Sequence, residues 1–372
     1  MTENNFTTGQ ADWELKFGDL STGIMEEIKS SIISINVSYS MSLVTQLSVE
    51  IIDTNFDLLR NNYFIVGRDV LYRTQTQLGQ FQGDKTMLGT PTASIRNDNN
   101  YLEQLLEIAS VEVSPGSGSS PIIRLELRTK AVQQMKRDKK PGTIKGDGAD
   151  FVIAAAKKYK LRYSVQKTSK NKQITKASGD QQADSTWTVM DSLASESKYL
   201  LFECDGVLFF VSPHRLIGKW GVYQTELDYI DPQNNKQFTA TFNYIPLRWP
   251  RNYLNEGFFN DLGNAYQLHQ CPQVRQSEDD PLAAEGSATI DYISGMSLRP
   301  GMTVLLFGIP TFDGRPFLIT EVSFNHFSRE PVNISFSSPE RPDGKIIDYA
   351  VGNVFPSTNI SDTYLYNSGG LI

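Results

Sequence analysis

The stretch Ile33–Ile51, ISINVSYSMSLVTQLSVEI, decides the fold. Ile33, Ile35, Val37, Tyr39, Met41, Leu43, Leu47, Val49 and Ile51 hold odd positions, and Ser34, Asn36, Ser38, Ser40, Ser42, Gln46, Ser48 and Glu50 lie between them. A period of two sends alternate side chains to opposite faces of a sheet, and β-branched and hydroxyl side chains suit a pleated surface better than a helix. The reading is antiparallel β with one face on a core and the other in water. As one strand the stretch would run roughly 60 Å at about 3.3 Å per residue, so a bend near Ser40–Ser42 is expected to split it. Parity survives the break. Both strands therefore present the same face to one core, as in a barrel or sandwich.

Around this centre, residues 1–128 read as a first β domain. A polar start carries a short amphipathic turn at Ile24–Ile28, Phe64–Arg73 reads as a strand, and residues 75–100, poor in apolar side chains, as a long loop. Leu102–Val113 and Ile122–Leu127 flank the Gly/Ser/Pro tip at 114–121 as a hairpin. The character changes at Thr129. Ala131–Arg137 reads as a short helix, Asp147 as the N-cap of a helix to Lys160, and Leu161–Val165 as a strand. Asp184 or Ser185 caps a further helix whose Trp187, Met190, Leu193 and Ala194 form one face, with Trp187 read as core. Leu200–Cys204 and Val207–Val211 then flank Asp205-Gly206, a strong hairpin signal. Residues 129–215 are thus a small α+β module.

Strand patterns return at Glu226–Ile230 and Phe238–Tyr244. An aromatic insertion follows at 250–285, then strands at Thr303–Phe307, Pro316–Phe327 and Val332–Phe336. Residues 216–340 form a second β domain, and 341–372 an extended tail that keeps Tyr349, Phe355, Tyr364 and Tyr366.

The chain has 372 residues, 39% hydrophobic and 21% charged, with a net charge of −7. That length predicts two to four domains, and the charge offers no basic face for wrapping nucleic acid, with no dense Lys/Arg run outside residues 136–176. Cys204 and Cys271 lie in no CxxC, which rules out a disulfide framework or a cysteine-based zinc site and points to neutral thiols in a reducing compartment. The polar, acidic start does not read as a signal peptide, and no apolar run, Val304–Phe307 included, comes near the about 20 residues that span a membrane. The expectation is a protein made in the cytoplasm, with no membrane anchor.

Catalytic patterns are missing. His214, His269 and His326 stand apart without metal-ligand spacing, and His326 reads as a surface or rim residue of a strand. No nucleophile elbow, phosphate loop or dinucleotide-binding turn occurs. The pairs Asp279-Asp280 and Glu26-Glu27 sit in polar surroundings, where ionised surface carboxylates are ordinary. The expectation is a non-enzyme with no catalytic residue, metal or cofactor.

Four pieces carry a resemblance. They are the opening strand pair ending at Ile51-Ile52-Asp53; Ile122–Lys140, a strand running through Arg128-Thr129-Lys130-Ala131 into a helix; Ala183–Pro213, a capped Trp helix and then Leu208-Phe209-Phe210; and Leu298–Pro339, with Pro300-Gly301-Met302 and Phe312-Asp313-Gly314 before paired strands. In order and spacing these resemble the central hub protein of contractile phage-tail baseplates, the late-control-D family, and the N-terminal part of type VI secretion spike proteins.

The resemblance implies a mainly β fold with two antiparallel β-barrel domains of the tail-tube and hub type around the α+β module. It implies a homotrimeric ring that adapts a sixfold tail tube to a threefold central spike. The neighbours would be spike, tail tube or distal tail protein and baseplate wedges, with DNA only in transit, in a virion tail assembled in the host cytoplasm. Tyr253, Phe258, Phe259, Tyr266, Tyr349, Phe355, Tyr364 and Tyr366 are candidate subunit or partner contacts, because aromatics enrich interface cores. The competing expectation is a carbohydrate-binding or receptor-recognition tail protein using the aromatics of 253–266.

Overall fold

A computed structural model describes residues 13–42, 44–75, 101–116, 120–139, 147–167, 184–213, 216, 224–231, 236–243, 245–248, 266–268, 270–276, 283–296, 298–307, 309, 312 and 315–338. In chain order the elements begin with β1 (Trp13–Phe17), α1 (Thr22–Ser31), β2 (Ile32–Ser40), β3 (Gln46–Ile52), α2 (Asp57–Arg60), β4 (Asp69–Gln75), β5 (Tyr101–Pro115) and β6 (Pro121–Thr129). There follow α3 (Lys130–Arg137), α4 (Gly148–Lys158), β7 (Arg162–Val165), α5 (Thr186–Ser197), β8 (Leu200–Cys204), β9 (Val207–Val211), β10 (Gln224–Asp231) and β11 (Lys236–Asn243). The last are β12 (Ile245–Arg248), β13 (Tyr266–Gln267), β14 (Gln273–Gln276), β15 (Ala284–Ile290), α6 (Tyr292–Gly295), β16 (Thr303–Phe307), β17 (Pro316–Asn325) and β18 (Val332–Ser337). The fold is mainly antiparallel β with few helices.

The alternating stretch becomes β2 and β3, antiparallel, with Ile35 opposite Val49 and Val37 opposite Leu47. Ile35, Val37, Tyr39, Leu47, Val49 and Ile51 are buried, each aliphatic one contributing about 1.5–3 kcal/mol of apolar burial. The strands part after Ser40, where the bend is expected. Ile33 breaks the pattern, because a bulge sets Ile32 opposite Ile51 and Ser34 opposite Glu50. The extra residue flips the parity, so Ile32 is buried and Ile33 is 42% exposed. The expected strand from Phe64 starts only at Asp69, since Ile65–Arg68 closes a turn at Gly67, whose φ of +88° suits glycine. The expected hairpin of β5 and β6 is present, with Val111 opposite Leu125.

Among the described residues a thirteen-stranded sheet runs β1-β4-β5-β6-β3-β2-β17-β16-β12-β13, with β18, β15 and β14 branching in turn from β17. Strand β17 joins the two halves. Its first residues pair with β16, its later ones pair with β2, and β18 lies along its other edge. An isolated bridge, Leu268 to Ile290, links the segment after β13 to β15 and brings the later strands round on themselves.

The second sheet is β11-β10-β7-β9-β8, with β7 and β9 parallel. Strands β10 and β11, which the sequence groups with the later β region, pair here through Ile230 and Tyr163. The change of sheet falls between Asn243 and Ile245. Helices α3, α4 and α5 cover one face of this sheet, where Val132, Met135, Val152, Met190 and Leu193 meet Leu201, Leu208 and Phe210. Asp147 caps α4 by accepting from the Ala149 N–H at 3.1 Å, and Ser185 caps α5 by accepting from the Thr188 N–H. The other face sends Phe202, Cys204, Val207, Phe209 and Val211 into the main β core. The run Val207–Val211 is apolar throughout because both its faces are covered. Trp187, expected in the core, is only half-buried, and the Lys136 ammonium sits 5.7 Å from its ring centroid.

Candidate functional site

The β8–β9 hairpin brings together the most deeply buried charges among the described residues. Asp205 and Gly206 have φ of +51° and +75°, as a two-residue turn of the primed type requires. A Cβ on Gly206 would stand 2.8 Å from the Arg162 guanidinium, which itself donates to the Asp205 carbonyl. The positive φ is what favours glycine there.

Just before the turn, Glu203 is buried. Its Oε1 accepts from Gln104 Nε2 at 3.0 Å and the Gly206 N–H at 2.7 Å; its Oε2 accepts from Thr129 Oγ1 at 2.6 Å and the Thr45 N–H at 3.3 Å. Burial raises the pKa of Glu203, and the hydrogen bonds from Thr129, Gly206 and Thr45 pull it back down. One carboxylate thus ties the module to the segment before β3, to β5 and to the end of β6.

Asp205 faces the other half of the fold. It accepts from Arg299 Nε at 2.8 Å, while Arg299 Nη1 donates to the carbonyls of Met296 and Leu298 at 2.7 and 2.8 Å. The guanidinium carbon lies 4.3 Å from the Tyr39 ring centroid, so the cation is held by a carboxylate, two carbonyls and an aromatic face. Burial and the negative charge of Asp205 hold the neighbouring Cys204 thiol well above its usual range, which makes it inert as a nucleophile.

His326 completes the junction and overturns the expectation of a surface or rim residue: it is 4% exposed and lies just beyond β17. Its Nε2 pairs with the Tyr72 hydroxyl at 2.7 Å and its Nδ1 with the Tyr292 hydroxyl at 2.8 Å. A neutral imidazole donates from one nitrogen and accepts at the other, so one tyrosine hydroxyl donates a hydrogen bond to the ring and the other accepts one from it. Burial, helped by the Arg299 charge, lowers the His326 pKa to about 3, and burial pushes Tyr292 up to about 12. These groups reach the junction from β2, β4, β5, β6, the β8–β9 hairpin, the segment after α6 and the end of β17. Their chemistry is that of a fastener. Among the described residues, no three His, Cys, Asp or Glu side chains gather to hold a metal.

The second feature is the wet face of the large sheet. Pairing aligns its polar residues in rows across the strands. One row is Glu126, Ser48, Asn36 and Asn325, and the next is Arg128, Gln46, Ser38, Ser323, Asn333 and Thr289. A third is Glu321, Ser335, Ser287 and Gln273. Asn325 Nδ2 donates to Asn36 Oδ1 at 2.8 Å across the join between the two halves. Arg124 is paired with Glu50, and Arg128 with Glu126 at 3.0 Å. The face is therefore continuous, hydroxyl- and amide-rich, and close to neutral.

Of the aromatic candidates, Tyr253, Phe258, Phe259, Tyr349, Phe355, Tyr364 and Tyr366 lie outside the described residues. Tyr266 is described by its backbone, which pairs with Leu247. The junction residues were missed in the sequence, where only Asp205-Gly206 carries a signal, and that signal is for a turn.

No protein-family model matches the chain, and no curated protein sequence matches it. Solved structures similar to it include a 43 kDa tail protein of prophage MuSo2 from Shewanella oneidensis, at 11% identity and a TM-score of 0.49 over 91% of this chain and 100% of that one. A tail protein from Neisseria meningitidis is 9% identical, with a TM-score of 0.48 over 88% of this chain and 96% of that one. A type VI secretion component of E. coli, described as structurally similar to T4 tail proteins, is 10% identical, with a TM-score of 0.46 over 91% and 80%.

Proposed function

We propose that the chain is a structural hub of a contractile phage-tail baseplate. In this reading a homotrimeric ring adapts a sixfold tube to a threefold spike, contacts spike and tube or distal tail protein at its two ends, and leaves a bore for DNA. The observation that carries it is the polar sheet face running unbroken across both halves of the β fold. Two joined β lobes in one chain let three copies present six similar surfaces, and closed symmetry is the usual state of a homo-oligomer. A wall of serine, asparagine and paired charges holds few free cations, so a passing polyanion finds little to bind. The buried junction suits the same role. Its hydrogen bonds and ion pair tie both lobes to the module, which resists slippage of one lobe against the other.

The test is the solution mass of the purified chain by light scattering at several concentrations, with particle images by electron microscopy. A plateau at three chains with an open centre is the expected result. A monomer at every concentration, or a closed particle without a bore, would reject the reading.

A further inference from the structure

The charge of this chain is segregated. Residues 129–215 hold sixteen Lys and Arg against nine Asp and Glu, a net of +7, whereas residues 1–128 hold nine against sixteen, a net of −7. The structure puts exposed members of the two sets at opposite ends of the β3–β6 ladder. Asp138 accepts from both Lys158 Nζ and the Tyr159 hydroxyl, which pins the C-terminal ends of α3 and α4 together. Around that pin Lys139, Lys157 and Lys160 are exposed, without ion-pair partners among the described residues. This basic pole follows Thr129, where β6 ends and where Arg128 stands opposite Gln46 at the start of β3. Helix α1 belongs to the other end, because it enters β2 at Ile32, opposite Ile51 near the end of β3. Asp19, Glu26 and Glu27 are exposed there, likewise without ion-pair partners among the described residues.

We infer that the basic pole formed by the ends of α3 and α4 docks on the acidic pole at α1 of a second copy of this chain. The contact is heterologous, head to tail, and such a contact builds a ring when the rotation between copies closes. Within one chain the module's cations already meet acids of the first lobe, Lys130 with Asp69 at 2.6 Å and Arg137 with Glu107. The proposed contact repeats that pairing between copies, with three free cations against three free anions. It rests on the hub reading only for closure of the ring.

The experiment follows the mass of the full chain against concentration at about 50 mM and about 1 M NaCl, where the reach of surface charges shrinks from over 10 Å to about 3 Å. It compares wild type with Lys139→Glu/Lys157→Glu/Lys160→Glu, with Asp19→Lys/Glu26→Lys/Glu27→Lys, and with the sixfold combination. All six positions are exposed, and an unchanged thermal transition checks that each variant folds. High salt and either triple variant are expected to raise the concentration needed for association by about tenfold or more, and the sixfold swap to restore it. Association indifferent to salt and to both triples overturns the inference, and a three-chain plateau in that case leaves the hub reading intact. A basic triple that loses retention of duplex DNA with an unchanged mass profile also overturns it, in favour of nucleic acid as the partner. A wild-type chain that never associates overturns both.

Discussion

Arg299 donates its Nε–H to Asp205 Oδ2 at 2.8 Å, from side chains that are 1% and 0% exposed, so the salt bridge between the later lobe and the β8–β9 hairpin is sealed from water. A sealed pair adds little net stability over an apolar pair of the same size, but breaking it leaves a buried charge uncompensated. Arg299→Met should therefore cost about 3–5 kcal/mol, measured as the shift of the urea unfolding midpoint at constant slope. Arg299→Met with Asp205→Asn should recover much of that loss, since asparagine carries no charge and tolerates the positive φ of this turn. A single variant within about 0.5 kcal/mol of wild type would show that the pair does not fasten the lobes.

His326 makes stability depend on pH. Its folded pKa of about 3 lies below the ordinary value of 6.5, so between those values the unfolded chain binds a proton that the folded chain refuses. Stability tied to the neutral ring is fully present above pH 6.5 and is lost as the pH falls towards 3. Glu203 works in the opposite sense, because burial raises its pKa and favours its protonated form in the fold. His326→Gln keeps the Glu203 contribution and removes the ring. Its loss of stability between pH 7 and about 4.5 should be shallower than that of wild type by a few kcal/mol. Parallel pH profiles would mean that the ring is not held neutral between Tyr72 and Tyr292.

Ile33 and Ile35 are two positions apart, and alternation alone assigns both to the core. The bulge separates them, leaving Ile33 half in water and Ile35 fully buried. Ile35→Ala should cost about 2–5 kcal/mol, whereas Ile33→Ala should stay within about 0.5 kcal/mol. Similar losses at both positions by urea unfolding would contradict the bulge.

That contrast marks what the sequence made legible. The strand faces at Ile35, Val37, Tyr39, Leu47 and Val49, the caps at Asp147 and Ser185, and the Asp205-Gly206 turn are written in neighbouring residues, where periodicity and turn chemistry act. The bulge at Ile33 is set by the partner strand. The pattern at residues 226–243 says strand but not with whom, and the structure pairs it with β7. His326 is buried by Tyr72, 254 positions away, and Glu203 is satisfied by Thr45, 158 positions away. No local window carries such partners, so the fold class could be read and the junction could not.

The polar wall yields the last prediction. Ser38 and Gln46 are neighbours across β2 and β3, Asn36 stands opposite Ser48 in the adjoining row, and all four project from the wet face. If this face lines a passage for DNA, the scarcity of free cations among its described residues lets the polyanion slide, and adding cations should make it hold. Ser38→Lys/Gln46→Lys/Ser48→Lys should leave the unfolding midpoint within about 1 kcal/mol of wild type, because surface positions tolerate change. The variant should retain duplex DNA with an affinity that falls steeply with salt, by a slope in log–log terms of about 0.9 per phosphate neutralised. Wild type should retain none in the same filter-binding assay at about 150 mM salt. DNA retention by wild type equal to that of the variant would show that the face already binds nucleic acid, and the idea of a non-adhesive wall would have to be abandoned.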